Sequence, residues 1–141
     1  MHQKNSAQTL SSKSDTPERL LETALELFAC KGYQSTSLRD IAANLGLHAG
    51  SIYNHVDNKQ MLLFDLIECA LDELLNTTRK QLKRAATGRA KLNLFFRVFT
   101  NFQKSDHRRL LLVCRESFNL TPEQRQYIAV LREKYTHCLS D

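Results

Sequence analysis

The sequence predicts an all-α fold, and three observations carry that prediction. Apolar residues recur at i, i+3, i+4 and i+7 in window after window, the spacing of one buried helix face. No stretch of useful length alternates apolar and polar residues as a half-buried strand would. The 141 residues include only four glycines and two prolines, too few for a turn-rich sheet protein.

The first helix is set by Leu21, Ala24, Leu25 and Phe28, with Thr16 and Pro17 supplying its cap and first turn. Gly32 stops it. Ser37-Leu38-Arg39-Asp40 then reads as a capping box, because Ser37 can accept from the third amide while Asp40 reaches back. Ile41, Ala42 and Leu45 form the buried face of this second helix, and Gly46 ends it after barely two turns. A third helix, roughly residues 49–56, starts almost at once. Asp57-Asn58-Lys59-Gln60 is a second capping-box variant, from which Leu63, Ile67, Ala70, Leu71 and Leu74 continue at helical spacing. If this fourth helix persists to about residue 84 it spans on the order of 40 Å, enough to join one lobe to another. Gly88 marks the break after it. Three more helices follow, roughly 89–103, 106–118 and 122–139. Ser105 is the expected cap of the second of these, and Thr121-Pro122-Glu123-Gln124 joins an N-cap, an N1 proline and a box-closing Gln for the third.

Length and composition suit one soluble domain, with 42% hydrophobic and 25% charged residues. A chain of this size buries roughly 68–70% of its unfolded surface. No apolar run reaches membrane-spanning length, so no membrane partner is expected. Residues 1–15 are rich in Ser, Gln, Asn and Lys and lack the apolar core of a secretory signal, so they read as a mobile tail. Cys30, Cys69, Cys114 and Cys138 lie far apart with no C-x-x-C pair, which argues against a zinc ribbon or redox motif and for a reduced, cytoplasmic protein. Catalytic signatures are missing: there is no G-x-S-x-G elbow, no phosphate-cradling glycine loop, no H-E-x-x-H and no E-x-x-H. Glu133 and His137, four apart, have no third ligand in sight. The expectation is therefore no enzyme, no catalytic residue, no cofactor and no metal.

Net charge is +5, which favours polyanionic partners. Its distribution matters more than its sum. Residues 1–57 carry five Lys or Arg against six Asp or Glu, whereas Arg79, Lys80, Lys83, Arg84, Arg89, Lys91, Arg97 and Lys104 occur with no acid between Leu74 and Ser105. Solvated helix faces are the default reading of that stretch, and complementing the end of the fourth helix is a second. An anionic ligand or a further nucleic-acid contact is a third.

Residues 37–56 have helix-turn-helix dimensions: a short helix, a turn at Gly46 and Leu47, and a short helix crowded with polar groups. Phe28, Gly32-Tyr33, Thr36, Ile41-Ala42, Gly46-Leu47, Ile52-Tyr53, His55-Val56, Lys59 and Leu62-Leu63 together resemble the TetR family of bacterial transcriptional regulators. The match covers about residues 17–65. It implies a helix-turn-helix DNA-binding lobe at 16–63, joined by a long fourth helix to a shortened helical effector and dimerisation lobe at 64–141. The partner implied is double-stranded DNA with a palindromic operator, read by a homodimer in the full-length form.

Within that resemblance the third helix enters the major groove, where each base pair shows a distinct hydrogen-bonding pattern. His48, Ala49, Ser51, Asn54 and His55 are the expected base-facing residues, with Asn suited to adenine and Ala49 to a thymine methyl. Gly50, which costs about 1 kcal/mol in a helix relative to alanine, is expected to permit close backbone approach. Tyr53 and Lys59 match family positions on the phosphate backbone, helped by Thr36, Ser37 and Arg39; such contacts fix register without reading sequence. Ile52 reads as core, and Tyr53 as a packed ring with its hydroxyl at a phosphate. His48 departs from the Ser or Thr that many relatives carry as the cap of this helix, which weakens its start.

For the second lobe the resemblance gives topology rather than residues. Phe95, Phe99, Phe102, Leu111, Cys114, Phe118 and Tyr127 are spaced to line an apolar interior, as plain core or as a pocket for an apolar effector; the basic stretch suggests an anionic one. The last two dimerising helices of the family are expected to be missing. The implied function is a sequence-specific DNA-binding transcriptional regulator, a repressor released by a small-molecule effector. The alternative is a helical interaction protein, or a truncated regulator that pairs with other subunits without tight operator binding.

Overall fold

A computed structural model describes residues 16–140, and the expected N-terminal tail lies outside them. The described residues form helices α1 (Thr16–Lys31), α2 (Leu38–Asn44), α3 (Ala49–Ile52), α4 (Lys59–Leu82), α5 (Gly88–Ser105), α6 (His107–Arg115) and α7 (Pro122–His137), with a 3₁₀ turn at Ser117–Asn119 before α7. There is no strand among them. The all-α fold is thus as the periodicity requires.

One apolar core runs through nearly all of it. Phe28 of α1, Ile41 of α2, Ile52 of α3 and Leu62, Leu63 and Ile67 of α4 are almost wholly buried, and the same cluster continues into Leu112 and Val113 of α6 and Ile128 and Leu131 of α7. Helix α4 makes this possible. At 24 residues it is about 36 Å long, and it packs against α1 as well as α5, α6 and α7. Helix α5 is peripheral: Val98 is its one buried residue, while Leu92, Phe96 and Phe99 look outward.

Several element ends differ from the sequence expectation, each for a local reason. The cap of α4 is Asn58, whose Oδ1 accepts from the Met61 amide at 2.8 Å; this puts Met61 at the third position, where it cannot close a box as Gln60 was expected to. Gly88 is not the break but the first residue of α5, because Thr87 supplies the side-chain acceptor, taking the Ala90 amide at 3.1 Å. Ser105 does not cap α6. It is the last residue of α5, and its hydroxyl donates back to the Phe102 carbonyl at 3.0 Å. Asp106 holds the cap position without a capping bond, since both its carboxylate oxygens accept from Arg108. That pairing also holds the Asp106 carboxyl below its ordinary range, chiefly through the side-chain hydrogen bond. The capping boxes at Ser37 and Thr121 form as read, with both reciprocal bonds present.

Candidate nucleic-acid interface

The interface is built on the turn between α1 and α2. Gly32, at φ +87°, stops α1 while its amide still donates to the Phe28 carbonyl at 3.0 Å. Tyr33 then folds beneath the helix, its ring edge-on to Phe28 with centroids 5.3 Å apart. Thr36 follows it inward. Only 1% exposed, its hydroxyl donates to the Gly32 carbonyl at 2.9 Å, so the expected DNA contact is corrected to a lock on the turn. Ser37 and Arg39 are exposed. The Ser37 oxygen accepts the Asp40 amide, and in return Asp40 accepts from the Ser37 amide at 2.9 Å, which lowers the Asp40 pKa.

The second half of the unit depends on Gly46. At φ +70° it lets the Leu47 amide reach back to the Ala42 carbonyl (2.9 Å) and its own amide to Ala43 (3.2 Å), a Schellman ending that swings the chain into α3. His48 is the cap of α3 and contributes no side-chain bond. The helix is correspondingly short. Regular α geometry covers Ala49–Ile52 rather than 49–56, and the chain continues in tight turns, with Asn54 and His55 amides donating to Ser51 and Ile52 carbonyls three residues back.

Ile52 is fully buried and anchors this unit to the core. Outside it, His48, Gly50, Tyr53, Asn54 and His55 are exposed, while Ala49 and Ser51 are half-buried. Tyr53 is 61% exposed, so the expected packing of its ring is corrected: most of the side chain stands in solvent. An added Cβ at Gly50 would meet nothing within 4 Å. Gly50→Ala is therefore expected to raise stability by about 0.5–1 kcal/mol in thermal unfolding, through helix propensity alone.

Lys59 has a double position. Its ammonium donates to the Tyr33 carbonyl at 2.9 Å and lies 4.1 Å from the Tyr33 ring centroid, tying the start of α4 to the α1–α2 turn. Partial burial lowers its pKa from the ordinary lysine value. With Ser37, Arg39 and Tyr53 it lines one shallow cleft of about 480 Å³, which also takes in Gln34, Ser35, Asp57 and Asn58. Sequence reasoning missed these four. Asn58, adjoining Lys59 in a cap signal, was the one it had grounds to find.

The seven residues expected to line an interior are not brought together. Phe95 stacks on Tyr135 at 4.8 Å, Phe102 lies under the Arg109 guanidinium at 5.2 Å, and Phe99 and Cys114 are at the surface. Leu111 is half-buried. Phe118 is 69% exposed, and the exposed Tyr127 donates to Glu68 at 3.2 Å. The cause is the peripheral seat of α5, which leaves its outer face uncovered, and the 3₁₀ turn, which points Phe118 out. Among the described residues no group of three or more His, Cys, Asp or Glu side chains is placed to hold a metal, and no helix is long and apolar enough to cross a membrane.

Comparison with known proteins agrees with this geometry. Residues 20–66 match the profile of bacterial regulatory proteins of the tetR family. The transcriptional repressor KstR2 of Rhodococcus jostii is 33% identical over 100 residues, covering 71% of this chain and 48% of the relative. The chain thus spans about half the length of the curated relatives it matches. Among solved structures, a tetR-family regulatory protein from Rhodococcus RHA1 superposes with a TM-score of 0.84 at 25% identity, over 89% of this chain and 66% of that one. AibR, solved in complex with isovaleryl coenzyme A and operator DNA, gives 0.78 at 25% identity, over 86% and 66%. With the helix-turn-helix geometry in place and a matching profile, relative and fold, residues 20–66 are a TetR-family domain and the described chain shares the fold of that family's solved members.

Proposed function

We propose that the chain is a sequence-specific DNA-binding transcriptional regulator, a repressor whose operator hold is released by a small molecule. The observation that carries this reading is the exposed, polar α3 unit held out by a buried Ile52, with Tyr53, Arg39 and Lys59 beside it. Residues 16–63 would read DNA. His48, Ala49, Gly50, Ser51, Asn54 and His55 face the groove, while Tyr53, Ser37, Arg39 and Lys59 touch phosphates. Residues 64–141 would sense the effector and, in a homodimer, set two half-sites on a palindromic operator. The DNA-complexed AibR and the KstR2 repressor support this by analogy.

The release mechanism has a structural route. Arg115, at the end of α6, donates to the Phe28 and Ala29 carbonyls at 3.1 Å, and Asn119 accepts from Gln34 at 2.6 Å, so movement around α6 reaches the α1–α2 turn directly. Selection from random DNA is the test. An enriched palindrome is expected, with Asn54→Ala costing about 1–3 kcal/mol at one base position and Lys59→Ala weakening all sequences alike. No enriched sequence would sink specific reading.

A further inference from the structure

We propose that Gln34 is a further phosphate-contacting residue of the DNA interface, and that Asn119, in the second lobe, is the residue that aims it. As a DNA contact it rests on the reading proposed above, and its role is to fix register rather than to read a base. Gln34 is exposed and lines the shallow cleft that also takes in Ser37, Arg39, Tyr53 and Lys59. A primary amide carries two N–H donors, and Gln34 uses one, through Nε2, on the Asn119 Oδ1 at 2.6 Å. The second N–H of that nitrogen is the donor assigned to a phosphate oxygen, a role that neutral amides commonly fill on DNA.

The side chain is held at both ends. Its backbone belongs to a locked turn: the adjoining Tyr33 carbonyl takes the Lys59 ammonium at 2.9 Å, and the Thr36 hydroxyl donates to the Gly32 carbonyl at 2.9 Å. Its amide is held by Asn119, which is itself fixed. Asn119 is 8% exposed, its Nδ2 donates to Glu116 at 2.8 Å, and its backbone carbonyl accepts from Gln60 Nε2 at 3.2 Å. Gln60 adjoins Lys59 at the start of α4, so Asn119 ties together both walls of the cleft, the α1–α2 turn on one side and α4 on the other.

This arrangement pre-organises the donor. A surface glutamine loses rotamer freedom when DNA fixes it, whereas one already held by Asn119 has little left to lose. Asn119 closes the 3₁₀ turn that follows α6, so movement of that turn presents or withdraws the amide without any contact between the second lobe and DNA.

Fluorescence anisotropy of the full chain with a labelled random-sequence duplex, at several salt concentrations, tests both residues, because phosphate contacts form on any sequence. Gln34→Ala is expected to weaken binding about five- to tenfold with the salt slope unchanged, since a neutral amide releases no counterion, whereas Lys59→Ala lowers the slope by about 1. Gln34→Lys is expected to bind at least as tightly as the unsubstituted chain with a slope steeper by about 1, a rescue that a merely structural residue does not show. Asn119→Ala is expected to weaken binding about two- to fivefold alone and to add nothing to Gln34→Ala, because it acts through Gln34. If Asn119→Ala fails to fold by circular dichroism, Asn119→Ser takes its place and must show the same dependence. Unchanged affinity or an altered slope in Gln34→Ala, or an Asn119 effect that persists without Gln34, would overturn the proposal. An enriched palindrome beside unchanged Gln34→Ala affinity removes this contact and leaves the DNA-reading proposal standing. Weaker duplex binding by Gln34→Ala with no enriched sequence does the reverse, and a chain that binds no duplex removes both.

Discussion

Phe28→Ala is expected to cost the protein about 3–5 kcal/mol of stability, a large part of the ~5–15 kcal/mol that holds an ordinary domain folded. Phe28 is fully buried, and its ring is the surface on which Tyr33 rests edge-on. Truncation removes the apolar area of the ring and leaves a cavity that the surrounding helices cannot fully close, because the neighbouring Leu25, Ile41 and Leu63 are themselves fixed in the core cluster. It also loosens the position of the α1–α2 turn, since Tyr33 orients the carbonyl that accepts from Lys59. Urea unfolding followed by circular dichroism measures the effect. A loss below about 1 kcal/mol would mean that the core around α1 is far more plastic than this packing implies.

Asn119→Ala is expected to cost about 1–3 kcal/mol, because it unpicks a buried polar junction rather than a packing contact. Asn119 and Glu116 are 8% and 6% exposed. The Asn119 amide accepts from Gln34 at 2.6 Å and donates to Glu116 at 2.8 Å, its carbonyl accepts from Gln60 at 3.2 Å, and Glu116 in turn takes the Arg115 guanidinium at 3.0 Å. Removing the amide takes one donor from a buried carboxylate and one acceptor from Gln34. The second loss makes the prediction specific. A double-mutant cycle of Asn119→Ala with Gln34→Ala should return a coupling energy of about 0.5–1.5 kcal/mol in unfolding, and a coupling near zero would show that the junction is solvated.

These two sites differ in how far the sequence announces them. The burial of Phe28 follows from its place at the end of the Leu21, Ala24, Leu25 repeat, a pattern contained within eight residues. Nothing near Asn119 announces its role, for its partners Gln34 and Gln60 lie 85 and 59 residues away. The helix-turn-helix unit shows the same division. Ser37, Asp40, Gly46 and Leu47 spell its caps and turn directly, and the structure forms those bonds as written. Which way Thr36 and Tyr53 point is not spelled there. Both sit beside core positions in polar turns, and only the packing of α1, α2 and α4 turns Thr36 in and leaves Tyr53 out.

The same reason explains the second lobe. Spacing alone makes Phe95, Phe99 and Phe102 look like one lining, since three aromatics at helical intervals imply a common apolar surface. A helix face has meaning only against what covers it. With α5 laid on α4 through Val98, the aromatics divide between a stack on Tyr135, a seat under Arg109 and open surface. The basic run was visible as composition, but that Arg79, Lys83, Lys91 and Lys134 converge on one cleft depends on α7 returning beside the end of α4.

The sequence by itself determined the helical class, most helix starts and stops, and the helix-turn-helix unit, because caps, glycine turns and apolar periodicity act over four to seven residues. The tertiary structure alone decided the facing of Thr36 and Tyr53, the tether of Lys59 to Tyr33, the Asn119 junction and the cationic cleft. These rest on contacts between residues distant in the chain, whose energies come from burial and desolvation and so exist only once the helices are packed.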